Sequence, residues 1–125
     1  MDTERAQVAM AIPVRDGLPV DAEIITATIR WTVRLAAKRP NRRTLLELQQ
    51  LLRGHIGLLL PLVRESILGV RPGSIEAHQL TVRLDGIETQ TRRELSPGPL
   101  LANVQVQQLA CDCQWLLACH TVGSA

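Results

Sequence analysis

Apolar residues recur at intervals of three and four in four separate stretches of the chain, a spacing typical of helices that bury one face. The first stretch follows Asp21, a residue type that caps helix starts, and ends near Lys38, ahead of Pro40. Its apolar or small positions are Ile24, Ile25, Thr28, Ile29, Thr32, Leu35 and Ala36. This pattern predicts a first helix over about residues 21–38.

The second stretch begins at Thr44-Leu-Leu-Glu47, which has the spacing of a capping box, and continues to about residue 68. Pro61 lies inside it and crowds the carbonyl of Gly57, so we expect a kink between these two residues. The apolar spacing passes through without a change of phase, which favours one bent helix over two shorter helices. The expected buried stripe is Leu45, Leu48, Leu52, His55, Leu59 and Leu62.

The third stretch has two interpretations. A helix is indicated by an N-cap residue at Ser74, followed by apolar positions in helical steps: Leu80, Leu84, Ile87, Thr91 and Leu95. Apolar and polar residues also alternate on both sides of Asp85-Gly86, which is typical of a β-hairpin over residues 80–91. We favour the helix, because a lone hairpin among helices has no further strands with which to pair.

The segment Ser96-Pro-Gly-Pro99 separates the third helix from a fourth, which we expect from Leu100 to about His120. The predicted buried stripe of this helix is Leu101, Val104, Val106, Leu109, Cys113, Leu116 and His120. All connections between the helices are short, which favours antiparallel neighbours. We therefore predict an all-α fold, an up-down-up-down four-helix bundle with a kinked second helix.

A chain of 125 residues has room for one domain. We expect a flexible N-terminal arm over residues 1–18, a single helical bundle domain over 19–121 and a frayed tail over 122–125. Apolar residues make up 46% and charged residues 21% of the chain, which is typical of globular domains. Because there is no Phe or Tyr, the core must consist of Leu, Ile, Val and Ala.

The N-terminus lacks a basic region and no apolar run is long enough for a membrane span, so we expect a cytoplasmic protein without membrane contact. The three cysteines are crowded into one segment, which is not the layout of a secreted disulfide framework. A net charge of +2 is too small to imply a nucleic-acid partner by itself.

The strongest charge cluster combines the end of the first helix with the turn after it, and no acid lies between residues 30 and 43. Cations near a helix C-terminus are stabilising, which explains such a cluster without any function. The functional interpretation is a binding patch for phosphate, nucleic acid or an acidic protein, with Trp31 as a contact anchor. The cations of this patch are Arg30, Arg34, Lys38, Arg39, Arg42 and Arg43.

His55 lies on the apolar stripe of the second helix, next to the expected kink. The simpler interpretation is a core histidine that is hydrogen-bonded to a facing helix. The functional interpretation is an acid or base in a pocket lined by Arg53, His55, Cys113 and His120. No pairing of a nucleophile with a base follows from the sequence, so we assign no catalytic residue and lean against an enzyme.

The cluster Cys111, Cys113, Cys119 and His120 does not predict a metal site. Positions two apart on a helix point to nearly opposite sides, so Cys111 and Cys113 cannot bind one ion together. We expect buried thiols, and neither a metal nor another cofactor.

Three segments carry a resemblance to a known family: the run from Leu52 to Val63 (LRGHIGLLLPLV), the break from Ser96 to Leu100 and the run from Cys113 to His120 (CQWLLACH). Over roughly residues 21–120 the chain resembles a family of small actinomycete proteins of unknown function that are labelled natural product biosynthesis proteins. It departs from that family at Leu62, where an acid is expected, and in a third helix rich in Thr. The resemblance implies a cytosolic accessory role in secondary metabolism and supplies no catalytic residues.

These observations favour a non-enzymatic interaction or accessory module that docks a protein partner, or a second copy of itself, through the basic patch and Trp31. The first alternative is a ligand-binding or catalytic accessory of a biosynthetic pathway, with a pocket near the kink of the second helix. The second alternative is a weak nucleic-acid-binding regulator. Against this last class, the helix after the patch begins Leu45-Leu-Glu47 and has no polar reading face at its start.

Overall fold

The computed structural model describes residues 20–67, 69 and 72–124. Within them the chain forms four α-helices and no strand: α1 is Ala22–Ala36, α2 is Arg42–Ile67, α3 is Ile75–Arg92 and α4 is Pro99–Ser124. The predicted all-α fold is confirmed, and the hairpin alternative is wrong because residues 80–91 lie within α3. The predicted arm over residues 1–18 lies outside the described residues.

Polar side chains cap the helix starts. Asp21 and Ser74 accept hydrogen bonds from backbone N–H groups in the first turns of α1 and α3, as predicted. The predicted capping box at Thr44 is wrong, because Asn41 Oδ1 accepts from the Thr44 N–H at 2.9 Å. Thr44 therefore belongs to the first turn of a helix that begins at Arg42. Asn41 is itself a preferred cap residue, and it starts the helix earlier than the sequence pattern indicated.

α2 continues through Pro61, so the prediction of one helix instead of two shorter ones is confirmed. The kink itself stays a prediction, and so does the division of the chain into arm, domain and tail. α4 is longer than predicted, since it runs to Ser124 and not to His120. None of the helices in the described part of the chain has the length and apolar character that a membrane crossing needs.

Hydrogen bonds between helices bring four helix ends together. The Asn103 amide donates to the carbonyl of Ala36 at 3.0 Å, which places the start of α4 beside the end of α1. The Arg42 guanidinium donates to the carbonyls of Leu95 and Ser96 at 3.2 and 2.7 Å, which places the start of α2 beside the segment after α3. These contacts are compatible with the predicted up-down-up-down order. One end of the bundle thus combines the end of α1, the start of α2, the end of α3 and the start of α4.

The core is aliphatic and lies mainly between α2 and α4. On α2, the predicted stripe is buried at every position except Leu62, which is 36% exposed. α1 adds Ile25 and Ile29, and α3 buries only Leu84 and Ile87. α3 is therefore the helix that contributes least to the core.

The predicted stripe of α4 is partly wrong. Leu101 and Val104 are each 57% exposed, and the small residue Ala102 is buried in their place at 0% exposed. Farther along, Val106, Leu109, Cys113 and Leu116 are buried as predicted. α4 carries apolar residues on its outer side as well as its inner side, so the spacing of apolar residues alone did not identify the buried face.

Candidate functional site

The six cations of the predicted patch are all exposed. Arg42 has a structural role, since its guanidinium binds the carbonyls of Leu95 and Ser96 after α3. The other five form no ion pair within the described residues. Arg39 adopts a left-handed φ of 50° in the turn between α1 and α2, where its N–H donates to the carbonyl of Ala36.

Trp31 is half-buried and packs against the core. Its ring therefore contributes to the interior as well as to the surface, and it is not a fully exposed anchor. Two other apolar side chains are more exposed near the end of the bundle described above: Val33 on α1 is 56% exposed and Leu100 on α4 is 71% exposed.

We call the set of Val33, Arg34, Lys38, Arg39, Arg43 and Leu100 the basic end. The hydrogen bond between Asn103 and Ala36 joins α1 to α4 at this end, and Val33 and Leu100 each lie about one turn from it along their own helix. The same end of the molecule therefore has exposed apolar side chains and also cations that form no ion pair with any described residue. Such a combination is suited to binding a partner that has both acidic and apolar side chains.

His55 is 3% exposed and faces α1, where its Nε2 lies 3.0 Å from Thr28 Oγ1. The Thr28 hydroxyl donates to the carbonyl of Ile24 at 3.1 Å, so its single proton is already used. When that proton points to the Ile24 carbonyl, the imidazole is the donor, in the tautomer with a proton on Nε2. A hydroxyl beside an imidazole can serve nucleophilic catalysis, but here both groups are buried. The pair joins α1 to α2 and favours the interpretation as a core histidine.

Burial lowers the pKa of His55 below its ordinary value near 6.5. Between the folded pKa and the unfolded pKa of about 6.5, the unfolded chain binds more protons than the folded chain, so stability increases with pH. We expect the free energy of unfolding to fall between about pH 7.5 and pH 5, and to fall less in His55→Gln. Urea unfolding at several pH values, followed by circular dichroism, measures both slopes.

The matched control for this pH dependence is His78→Gln, because His78 is exposed on α3. This variant should keep the wild-type slope. Parallel curves for the wild type and His55→Gln would show that the buried imidazole does not produce the pH dependence.

Arg53, another predicted pocket residue, has a structural role at the end of α3. Its Nε donates to the carbonyl of Thr91 at 2.7 Å and its Nη2 to the carbonyl of Arg93 at 2.6 Å. Gln49 also donates to the carbonyl of Arg93, at 3.3 Å. A cation beside the last carbonyls of a helix satisfies unpaired acceptors and complements the helix dipole.

Cys113 is 0% exposed, and burial raises the pKa of its thiol to about 12. It is therefore a neutral core side chain at physiological pH and not a nucleophile. The prediction of buried thiols is wrong for Cys111, which is exposed because it lies two positions from Cys113 on the same helix, and Cys119 is half-buried. His120 is half-buried near the end of α4. No three His, Cys, Asp or Glu side chains in the described residues come close enough together to hold a metal ion.

The structure contains a groove that the sequence did not predict. It lies between α3 and α4 and has a volume of about 960 Å³. Arg53, His55, Cys113 and His120 do not line it. The lining residues are Arg83, Gly86, Ile87, Gln90, Arg93, Glu94, Ser96, Leu101, Val104, Gln105, Gln108 and Asp112.

The groove exists because α3 is attached mainly to α2. Arg64 of α2 forms ion pairs with Asp85 and Glu88 of α3, at 2.9 and 2.7 Å. α3 and α4 have few contacts with each other. One contact between them is the guanidinium of Arg83, which lies 4.4 Å from the centre of the Trp115 ring.

Asp112 is the groove residue with the most unusual environment. It is 5% exposed, and Gln108 Nε2 donates to its Oδ1 at 3.0 Å. Burial raises the pKa of this carboxyl, while the hydrogen bond from Gln108 and the charge of Arg83 act in the opposite direction. One signal in the sequence could have identified it, because Asp112 is the only Asp, Glu, Lys or Arg residue in the whole of α4.

One comparison with known proteins gives a match. The model of the "Family of unknown function (DUF6415)" matches residues 23–123, which is more than half of the chain. No curated protein and no solved structure matches. The resemblance to a family of unknown function is thereby confirmed, whereas its actinomycete origin and its natural-product label stay predictions.

Proposed function

Because the chain belongs to the DUF6415 family, whose function is unknown, we propose a function from its own geometry: a non-enzymatic interaction module that binds an acidic, amphipathic helix of a partner protein. The binding surface is the basic end. The observation that carries this proposal is that one end of the bundle combines exposed apolar side chains with cations that no described acid neutralises.

The two kinds of side chain specify the chemistry of the partner. Val33 and Leu100 are more than half exposed, and an apolar stripe on a partner helix would remove both from water. Arg34, Lys38 and Arg43 form no ion pair within the described residues, so acids that flank that stripe would complement them. A second copy of the chain is a poorer partner, because two basic ends repel each other.

We also propose an accessory role in natural product biosynthesis as the setting, which is what the label of the resembled family implies. The nucleic-acid alternative receives less support, because apolar side chains lie among the cations and the net charge is only +2. The pocket alternative near Pro61 also receives less support, since His55 and Cys113 are core residues and Arg53 binds backbone carbonyls.

The test is fluorescence anisotropy with two synthetic amphipathic helices that have the same leucine stripe. One peptide carries Glu beside the stripe, and the other carries Lys. We expect the acidic peptide to bind, more weakly as salt is added, and the basic peptide not to bind. Arg34→Glu with Arg43→Glu should weaken binding by on the order of tenfold, and Leu100→Ser by about fivefold.

The matched control is Ile75→Ser, because Ile75 is 78% exposed at the start of α3, away from the basic end. This variant should bind the acidic peptide as the wild type does. The proposal is wrong if both peptides bind equally, or if the double charge reversal leaves the affinity unchanged in a protein that circular dichroism shows to be helical.

A further inference from the structure

We propose that the groove between α3 and α4 is a second binding site, which takes a small organic cation. In this site, Asp112 binds the ammonium or guanidinium group of the ligand, and the apolar body of the ligand lies on Ile87 and Val104. This inference does not depend on the proposed function, because the groove and the basic end have no residue in common.

One carboxylate oxygen of Asp112 has no hydrogen-bond donor among the described residues. Asp112 is 5% exposed, and the Gln108 amide donates to its Oδ1 at 3.0 Å. No described residue donates to Oδ2. A buried carboxylate can accept several hydrogen bonds, and leaving an acceptor of this kind unpaired is costly. A ligand that donates to Oδ2 removes this cost.

Arg83 is the cation whose charge acts on Asp112, but it does not form an ion pair with this carboxylate. Arg83 could neutralise Asp112 by an ion pair, but its guanidinium lies over the Trp115 ring instead. It lowers the pKa of Asp112 through its charge without a hydrogen bond to the carboxylate. The charge-assisted hydrogen bonds that a carboxylate prefers are therefore left for a ligand cation.

The size and the lining of the groove also suit a small ligand. Its volume of about 960 Å³ lies within the range of small-molecule sites, roughly 300 to 1,000 Å³. Ile87 is buried beside it, and Leu101 and Val104 are each 57% exposed along it. The lining is mixed: Ile87, Leu101 and Val104 are its large apolar residues and most of the others are polar or charged, so part of the wall can hold an apolar body while a polar head meets Asp112.

The test uses hexylamine, hexanol and hexanoate, which share an alkyl body and differ in the head group. Binding is followed by NMR, through the side-chain amide of Gln108 and the indole of Trp115. We expect saturable shifts with hexylamine and none with hexanol or hexanoate at equal concentration. Hexylguanidine should bind at the same place, because it donates the same kind of hydrogen bond.

Three variants locate the site. Asp112→Asn keeps the shape of the side chain and should weaken hexylamine binding by about tenfold or more. The matched control is Glu94→Gln, which removes a carboxylate from the rim of the groove and should change the affinity by less than about twofold. Val104→Lys should also block hexylamine, because it introduces an ammonium group at an exposed position of the groove.

A pH series adds an independent readout. Hexylamine binds the ionised form of the Asp112 carboxyl, and burial raises the pKa of this group. The affinity for hexylamine should therefore increase with pH until the carboxyl is fully ionised. The other charged groups of the groove are Arg83, Arg93 and Glu94, all from α3 or the segment after it. Glu94→Gln should keep the pH dependence, and Asp112→Asn should abolish it.

Two results would contradict the proposal of a cation-binding site in the groove. One is that hexanol shifts the same resonances as hexylamine, since this would mean that the groove recognises only the alkyl body. The other is that hexylamine binds Asp112→Asn and Val104→Lys as tightly as it binds the wild type. Urea unfolding of each variant shows that these comparisons are made on folded protein.

Discussion

Leu52→Ala is expected to lower the free energy of unfolding by about 2 to 5 kcal/mol, the largest effect of the substitutions considered. Leu52 is 0% exposed on α2, in the layer that packs on α4. The substitution removes three buried carbons and leaves a cavity that its aliphatic neighbours can fill only partly. A domain of this size is typically stable by about 5 to 15 kcal/mol, so this variant would lose a large part of its stability.

The matched control is Leu58→Ala on the same helix, because Leu58 is 46% exposed. Its cost should be below about 1 kcal/mol, since little apolar surface returns to water. Urea unfolding at neutral pH, followed by circular dichroism, measures both variants. Equal losses for Leu52→Ala and Leu58→Ala would contradict the arrangement of α2, because they would mean that its two sides are equally buried.

The buried face of α2 could be predicted from the sequence because its two sides differ in composition. Leu48, Leu52 and Leu59 follow the helical repeat, while the exposed positions combine polar residues with glycines and only a few leucines. Burial therefore has only one favourable arrangement along most of this helix. Leu62 is the exception, since the buried face continues from Leu59 to Val63, which is 2% exposed, and leaves Leu62 at its edge.

α4 could not be predicted equally well, because apolar residues occur on all sides of it. Its outer positions carry Leu100, Leu101 and Val104, so moving the buried stripe by one residue exchanges one set of apolar side chains for another. The small side chain of Ala102 faces the core, which no rule based on hydrophobicity alone would select. Packing against α1 and α2 determines the choice, and this information is not local.

The groove is a consequence of tertiary structure. It depends on how α3 is attached to α2 by Arg64 and Arg53, and on how few contacts α3 has with α4. The sequence did contain a sign of it, because Asp112 is an acid between apolar and cysteine residues in an otherwise uncharged helix. The basic patch was predicted residue by residue, but the structural role of Arg42 depends on a carbonyl that is distant in sequence.

Thr28→Val should lower the free energy of unfolding by about 1 to 3 kcal/mol, although valine has almost the shape of threonine. The substitution removes the oxygen that accepts from His55 Nε2 and leaves a buried N–H without a partner. The matched control is Thr81→Val, because the Thr81 hydroxyl forms the same local bond, to the carbonyl of Ala77 at 2.9 Å, on an exposed surface. We expect that control to change stability by less than about 0.5 kcal/mol.

A double-mutant cycle separates the hydrogen bond from the packing of the two side chains. His55→Leu removes the donor, so in its presence Thr28→Val leaves no N–H unpaired and should cost much less than it does alone. We expect a coupling of at least about 0.5 kcal/mol between the two positions, measured by urea unfolding above pH 7, where the imidazole is neutral. If the two losses simply add, the contact between Thr28 and His55 does not stabilise the fold, and α1 and α2 are held together by their aliphatic side chains alone.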